Sequence, residues 1–496
     1  MNTRVLRAVL VILLGLAAAQ AIASVHVHLS NLALYEKTEA FKNGGYLIVP
    51  NAHVLPRLLE WKSAILGGLF FTLSVGAFLT LASIAAAWLR NRVLPPKKAL
   101  ALLFVFPWIA LLLGLNRCGF TPAATSHFLL IPPLVYAAAC GWLFPRSSVP
   151  PRSILLIHAL PPLFLALLWA SQMSGSFFLD VRDYLLLSHS AGTKVSAFYY
   201  RYTLYPAETF KPLDQKVLRS AYFRHLENTA VSQTIQRELL KHGYLPVDKE
   251  SLADLVFKEK EDELQLDHRA TTVLRTTPQQ FLISPDVWLA AFSQETDRQS
   301  FFRKVTLVSL LVGFPLLLYL LLYGVFYSLF RLTLPLGKAS VLSSLLCLVA
   351  GILLFLVFFL ARETLHHERD VNRALLSHNW RTRVAALKFI QRSGLDAVRY
   401  PAYRAILKSP LIPEKYWLAG ALGASRHPDT FKDLLSLLDD TQPTVVSAAF
   451  QALGARKNPA AVRHILARIT TSTDWYNQWN AYWALRSLGW KQSPLP

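Results

Sequence analysis

The sequence predicts a mainly α-helical protein: a polytopic bundle of membrane helices with a small α+β soluble insertion and a C-terminal α-solenoid. Three observations lead to this fold class. Of the 496 residues, 53% are hydrophobic and only 16% are charged, which is too apolar for an ordinary soluble chain. Several uninterrupted apolar runs are long enough to span a membrane. The C-terminal region repeats a motif with a spacing of 31 residues.

The first segment, residues 1–25, has the pattern of an export signal. Arg4 and Arg7 precede an apolar core, and the sequence Ala-Ile-Ala at 21–23 fits a cleavage site. An uncleaved first transmembrane helix explains the same residues equally well. In both cases the following residues, 26–62, are expected to form an extracytoplasmic loop.

Six further apolar spans are predicted, four within residues 63–173 and two within residues 305–361. The short loops RNRVLPPKK, PRSSVPPR and RLTLPLGK are basic, so the positive-inside rule places them in the cytoplasm. The sequence therefore predicts a multi-pass protein of the cell inner membrane. Its soluble regions are expected on the extracytoplasmic, or periplasmic, side.

Two of these spans contain paired prolines. Pro132-Pro133 and Pro161-Pro162 remove backbone donors and are expected to kink their helices. His158 lies one turn before the second pair and indicates either a solute or proton path or a histidine bonded to a freed carbonyl. The second interpretation is favoured because no intramembrane acid accompanies His158.

Residues 174–304 are predicted to form an extracytoplasmic α+β domain. Residues 208–243 have a mainly helical pattern, whereas LVFKEKEDELQLD and TTVLRTTP alternate like strands. The segment FLISP is a further candidate strand. The acidic run from Glu259 to Glu263 lacks the glycine and the ligand spacing of a calcium loop, so a solvated strand edge is expected.

The C-terminal region, residues 362–496, contains the internal repeat. LGASRHPDTFKDLL recurs as LGARKNPAAVRHIL, and three positions return 31 residues later: Leu422 as Leu453, Gly423 as Gly454, and Pro428 as Pro459. Short amphipathic helices of this kind bury their apolar faces only by stacking. The stretch LLSLLDDTQPTVVSAAFQALGARKNP resembles the HEAT repeats of the PBS-lyase-like kind. This resemblance covers about 120 residues and implies a protein-binding or scaffold module.

Two surfaces of the repeat region are candidates for recognition. Arg456, Lys457 and Arg463 lie outside the apolar stripe and are expected to be exposed. The last unit is rich in aromatic residues: Trp475, Tyr476, Trp479, Tyr482, Trp483 and Trp490. Large aromatic residues either cap a terminal repeat or form an exposed recognition or membrane-interface patch. Capping is favoured because several of them share one helical face.

Candidate metal ligands are sparse. The loop after the first span contains His26, His28 and His53, and helical spacing would place Glu363, His366 and Asp370 on one face. Neither set has the composition of a usual metal site. The sequence predicts no catalytic, cofactor-binding or metal-ligating residue and no cofactor.

The net charge of +21 is not accompanied by a nucleic-acid motif, and much of it lies in the short loops, so nucleic acid is not an expected partner. The expected partners are the lipid bilayer and a protein of the cell envelope, with the oligomeric state left open. The favoured function is a scaffold, docking or assembly protein that binds its partner through the solenoid.

Two alternative functions remain open. One is a transporter or permease subunit that uses the proline-containing helices around His158. The other is a membrane enzyme acting on lipid-linked substrates, for which Asp180, Arg182 and Asp183 are the only candidate residues. An enzyme is not the favoured prediction.

Overall fold

The protein is described by a computed structural model. It covers residues 3–92, 102–144, 152–173, 177–224, 229–260, 263–361 and 363–493. Only the backbone is described at residues 3–4, 92, 102, 152–158, 229 and 357–361, so the side chain of His158 lies outside the described residues. The described chain is mainly helical and contains a small mixed sheet, as the sequence predicts.

The N-terminal part contains apolar helices, of which the first five pack into a bundle and the sixth packs on a later apolar helix, Leu336–Ala361. They are α1 (Thr3–Asn43), α2 (Trp61–Phe71), α3 (Ala77–Arg92), α4 (Leu102–Leu115), α5 (Pro122–Trp142) and α6 (Arg152–Ser171). A π-helical turn at Thr72–Gly76 joins α2 to α3 without a break. Residues 26–43, expected in a loop, continue α1, because Val27, Asn31 and Phe41 lie on a face that is buried by the neighbouring segments.

Close helix packing in this bundle depends on small residues. A Cβ atom on Gly76 would lie 2.5 Å from the Cβ of Ala19, so these two helices approach at a point where only glycine fits. Nearby, Gln20 donates from Nε2 to the carbonyl of Ile65 at 2.9 Å and accepts from Thr72 Oγ1 at 2.7 Å. The first helix is therefore bonded as well as packed to the second.

The middle of the chain contains short helices and the sheet. The helices are α7 (Phe177–Asp180), α8 (Ser190–Tyr202), α9 (Leu204–Phe210), α10 (Thr229–Lys241), α11 (Pro278–Ile283) and α12 (Pro285–Glu295). The strands are β1 (Arg219–Arg224), β2 (Tyr244–Pro246), β3 (Leu255–Lys260), β4 (Glu263–His268) and β5 (Thr271–Thr276). The sheet order is β2-β1-β3-β4-β5, with β1 parallel to both neighbours and the other pairs antiparallel.

The α+β unit begins later than residue 174. Its hydrophobic core contains buried residues from Leu213 to Phe292. In contrast, Leu204, Tyr205 and Phe210 belong to the core that joins the apolar helices to the solenoid. Strands β3, β4 and β5 lie where alternation predicts them. FLISP instead spans the end of α11 and the first residue of α12, and β1 and β2 lie in or beside a segment with a helical pattern. Strand β1 forms within a segment of helical pattern because it pairs in parallel with β2 and β3, which come later in the sequence and give no signal local to β1.

Two long apolar helices follow, α13 (Ser300–Phe330) and α14 (Leu336–Ala361). Within the described residues, five helical stretches are long and apolar enough to cross a membrane: Val5–Asn43, Trp61–Asn91, Pro122–Trp142, Ser300–Phe330 and Leu336–Leu356. Two shorter apolar stretches are Leu103–Leu115 and Ala159–Ser171. Length and composition alone support these assignments.

The C-terminal region is a stack of short helices. They are α15 (Val371–Leu375), α16 (Trp380–Arg392), α17 (Tyr403–Ile406), α18 (Ile412–Ala424), α19 (Pro428–Ser436), α20 (Pro443–Arg456), α21 (Ala461–Thr471) and α22 (Trp475–Ser487). Helices α16, α18, α20 and α22 pack side by side in one row. A Cβ on Gly423 would lie 2.8 Å from Ala452 Cβ, and one on Gly454 would lie 3.0 Å from Ala484 Cα. The recurring glycine therefore marks the same close helix contact in successive repeats.

A buried ion pair joins α1 to the sheet. Lys37 Nζ lies 2.7 Å from Asp254 Oδ1, and Asp254 Oδ2 accepts from the backbone NH and the hydroxyl of Ser220, both at 3.0 Å. Burial alone would raise the pKa of the Asp254 carboxyl. The charges of Lys37 and Lys216 and the hydrogen bonds outweigh burial, so that pKa lies well below its ordinary value.

This pair predicts a pH-dependent contribution to stability. Because the folded-state pKa of Asp254 is depressed, its stabilisation is present above the unfolded pKa of about 4 and is lost as the pH falls through the folded value. Asp254→Asn also leaves the charge of Lys37 buried, so we expect a loss of about 3–5 kcal/mol at pH 7. In thermal unfolding of the solubilised protein, Asp254→Asn should have a lower unfolding temperature than the wild type at pH 7. This difference in unfolding temperature should narrow below about pH 4.

The matched control is Asp248→Asn, which removes an exposed carboxylate from the same unit. Its unfolding temperature should follow that of the wild-type protein at every pH. Equal unfolding temperatures for wild type and Asp254→Asn at pH 7 would contradict the stabilising role of the pair.

Candidate docking groove

Helices α18 and α20 form the floor of a groove in the solenoid with a volume of about 1080 Å³. Small residues line this floor, including Gly420, Ala448 and Ala452, so a bound chain can approach the helix backbones closely. Trp417 and Phe431 supply aromatic walls. Leu179 of α7 also lines the groove, so the short segment that follows α6 in the chain borders it.

The groove is positively charged. Arg426, Lys432 and Lys457 line it and are exposed, and none of them forms an ion pair with a carboxylate among the described residues. No aspartate or glutamate occurs among the described residues that line the groove. Three uncompensated cations in a concave surface complement an acidic ligand.

Arg456 also lines the groove, but its guanidinium has a structural role. Its Nη1 donates to the carbonyl of Leu422 at 3.1 Å and to Thr430 Oγ1 at 2.9 Å, and its Nη2 donates to the carbonyl of His427 at 2.5 Å. Arg456 therefore bonds one repeat to the next. Of the three basic residues expected on the surface, only Lys457 offers a free charge to the groove, since Arg463 lies on α21 outside it.

One end of the solenoid is held by the segment that follows α6. Residues Val181–Leu186 form a π-helix, which contains Asp183, a fully buried carboxylate. Asp183 accepts from Arg182 Nε at 2.9 Å and Nη2 at 2.7 Å, and from Trp417 Nε1 at 2.7 Å. Lys388 Nζ lies 3.7 Å from Asp183 and 4.0 Å from Asp180.

These residues form what we call the Asp183 cluster: Asp180, Arg182, Asp183, Lys388, Tyr416 and Trp417. The Arg182 guanidinium lies 3.6 Å from the centre of the Tyr416 ring. Burial lowers the pKa of Lys388, and the carboxylates of Asp183 and Asp180 oppose that change. Asp180, Arg182 and Asp183, the candidate residues for an enzyme, are thus buried and in contact with the solenoid. Asp183 accepts hydrogen bonds both from its own segment, through Arg182, and from the solenoid, through Trp417.

The other end of the solenoid packs on the chain through its aromatic residues. Trp475 meets Tyr205 edge to face, with ring centres 5.0 Å apart, and the rings of Tyr476 and Tyr200 are 4.6 Å apart. Lys211 Nζ lies 5.2 Å from the centre of the Trp479 ring. Helices α8 and α9 and the adjoining Lys211 therefore cover these three aromatic residues of the last repeat.

A polar contact reinforces this end. Asn51 donates from Nδ2 to the carbonyls of Ile469 at 2.9 Å, Thr470 at 3.0 Å and Ser472 at 2.9 Å. The last carbonyls of a helix have no partner within the helix, so Asn51 caps α21 from a distant part of the chain. Arg486 Nη1 also donates to the carbonyl of Leu240 at 3.3 Å, which joins the solenoid to the α+β unit.

The described residues contain no group of three or more His, Cys, Asp or Glu side chains arranged to hold a metal. Glu363 and His366 lie in a non-helical segment after α14, so the expected helical face does not form. Glu363 accepts instead from Asn379 Nδ2 at 2.7 Å. His28 stacks on Trp61 with ring centres 4.0 Å apart, whereas His26 Nε2 lies 3.0 Å from Ser126 Oγ.

Fold and groove together define a mainly helical protein whose apolar helices are joined to a repeat module. Residues 400–486 match the family of HEAT repeats, which confirms the HEAT-like character of the C-terminal region. HEAT repeats are protein-interaction modules, so the match supports a scaffold role at most. No curated protein and no solved structure matches the chain.

Removing the charge of Asp183 should weaken the attachment of the solenoid. In Asp183→Asn, Arg182 and Lys388 lose their shared buried carboxylate, and we expect a loss of about 3–5 kcal/mol. Limited proteolysis of the solubilised protein measures the effect as faster release of a C-terminal fragment. Asp439→Asn is the control, because Asp439 pairs with Arg468 at an exposed position worth about 0–1 kcal/mol. Equal cleavage rates in the two variants would show that the Asp183 cluster does not hold the solenoid.

Proposed function

We propose that this chain is a multi-pass membrane scaffold that docks an acidic segment of a partner protein in the solenoid groove. One observation carries the proposal: HEAT-like repeats enclose a groove that exposes Arg426, Lys432 and Lys457 with no lining carboxylate among the described residues. The positive charge of these three residues would speed the encounter with a partner segment rich in Asp and Glu and would orient that segment in the groove. The floor of glycine and alanine suits an extended or helical peptide.

The proposal includes a membrane location. The five long apolar helices expose large hydrophobic side chains such as Leu318 and Leu353, which would face lipid. The first helix is proposed to remain uncleaved, because Ala23 and Val27 are buried within it on both sides of the candidate cleavage site. The basic loops favour an extracytoplasmic position for the α+β unit and the solenoid in the inner membrane.

Orientation is tested by reporter fusions placed after residue 240 and at the C-terminus. Because Arg486 of the solenoid donates to the carbonyl of Leu240, both fusions should report one compartment, and the basic loops predict the exported one. Signals from opposite compartments would contradict the placement of the α+β unit and the solenoid on one side of the membrane. Two cytoplasmic signals would show that the proposed orientation is inverted.

Charge reversal in the groove should remove the partner without unfolding the repeats. In a variant combining Arg426→Glu and Lys432→Glu, like charges would face the acidic segment, and recovery of the partner should fall by about tenfold or more. Both side chains are exposed, so the unfolding temperature should stay close to wild type.

The matched control is Arg463→Glu, which reverses an exposed charge on α21 outside the groove. Copurification from solubilised membranes, followed by mass spectrometry and a thermal melt of each variant, gives the comparison. Unchanged recovery with the double variant, or an equal loss with Arg463→Glu, would remove the groove as the docking surface.

A further inference from the structure

A second cleft, of about 540 Å³, lies where α1, the loop before α5 and the α+β unit meet. It is separate from the solenoid groove. Leu29 and Phe120 line it, and both side chains are largely exposed, at 55% and 65%. Leu29 lies on the first candidate membrane helix, and Phe120 lies two residues before the start of another at Pro122. The cleft therefore has an apolar lip at one end of the helix bundle.

The carboxylates of this cleft are mostly neutralised. Among the described residues, four carboxylates line it and three of them are paired: Asp254 with Lys37 at 2.7 Å, Glu208 with Lys211 at 2.5 Å, and Asp297 with Arg303 at 2.8 Å. The fourth, Glu36, is exposed on α1. The cleft therefore does not present the converging free carboxylates that a cation site needs.

Two arginines in the cleft lack a carboxylate partner among the described residues, Arg269 and Arg298. Arg269 lies in the two-residue turn between β4 and β5, where Arg269 has φ 48° and Ala270 has φ 64°. Turns of this kind strongly favour asparagine and glycine, because other residues are strained at positive φ. A strained arginine directed to a cleft suggests that its side chain is needed there.

Arg298 is held against the loop before α5. Gly119 has φ 115°, and a Cβ atom there would lie 3.0 Å from Arg298 Nε, so glycine allows the side chain to approach the loop backbone. His268 lines the same cleft as Arg269 and Arg298, so all three side chains border one space. The buried hydroxyl of Thr209, which also lines the cleft, has no hydrogen-bond partner among the described residues.

We propose that this cleft binds a phosphate group, held by Arg269 and Arg298 with a hydrogen bond from Thr209. Guanidinium groups match phosphate oxygens through paired, charge-assisted hydrogen bonds. The apolar lip formed by Leu29 and Phe120 favours an anionic phospholipid as the source, with its acyl chains beside the apolar helices. That choice of source depends on the proposed membrane location, whereas the phosphate site itself does not.

The test uses the full chain in a neutral detergent and three probes: short-chain phosphatidylglycerol, short-chain phosphatidylcholine and sodium phosphate. Thermal unfolding is recorded as each probe is titrated. Phosphatidylglycerol should stabilise the wild-type protein with a saturable response, and phosphatidylcholine should act more weakly because its choline opposes the arginines. If sodium phosphate stabilises the protein to the same extent as phosphatidylglycerol, the phosphate site is supported and its ligand is a soluble phosphate compound.

Arg269→Gln and Arg298→Gln should each weaken the phosphatidylglycerol response by about tenfold or more, since each removes charge-assisted hydrogen bonds. Arg275→Gln is the matched control, because Arg275 is an exposed arginine of β5 outside the cleft. Arg269 lies in an exposed turn, so its variant keeps the test valid if Arg298→Gln fails to fold. No saturable response of the wild-type protein to either phosphate probe, or an equal loss with Arg275→Gln, would overturn the proposal.

Discussion

One buried carboxylate, Asp183, fixes the solenoid to the segment that follows the apolar helix α6. It accepts hydrogen bonds from Arg182 of its own segment and from Trp417 of the solenoid, and Lys388 lies close by. Separating these elements would cost Asp183 the hydrogen bond from Trp417 and the nearby charge of Lys388, whereas Arg182 would stay with it. Leu179 lies one turn before this carboxylate and lines the groove, so the groove is held next to the same segment. The position of the proposed docking groove therefore depends on Asp183.

The solenoid is held at its other end as well, and this has consequences for binding. Asn51 caps α21, and the aromatic residues of α22 pack on α8 and α9. A terminal repeat needs a cap to cover its apolar face, and here the rest of the chain supplies it. A groove fixed at both ends loses little conformational freedom on binding, which favours affinity for a partner.

The features that sequence predicts correctly are those with a local signal. Alternation locates β3 to β5, and the 31-residue recurrence locates the repeat region, with the HEAT match over residues 400–486 as confirmation. The missed features depend on distant partners. Strand β1 is held by parallel neighbours, and the roles of Asn51 and Asp183 arise from side chains hundreds of residues away. Arg456 resembles a surface cation in sequence, because nothing local indicates that three acceptors surround its guanidinium.

Photo-cross-linking in intact cells tests the docking function most directly. A photoreactive residue at Ala455, which is exposed and lines the groove, is compared with the same residue at Ala467, which is exposed on α21 outside it. The proposed function predicts a cross-link from Ala455 to one protein, at a segment rich in Asp and Glu, and no such product from Ala467. The same products from both positions, or a cross-linked segment without acidic residues, would contradict docking in the groove.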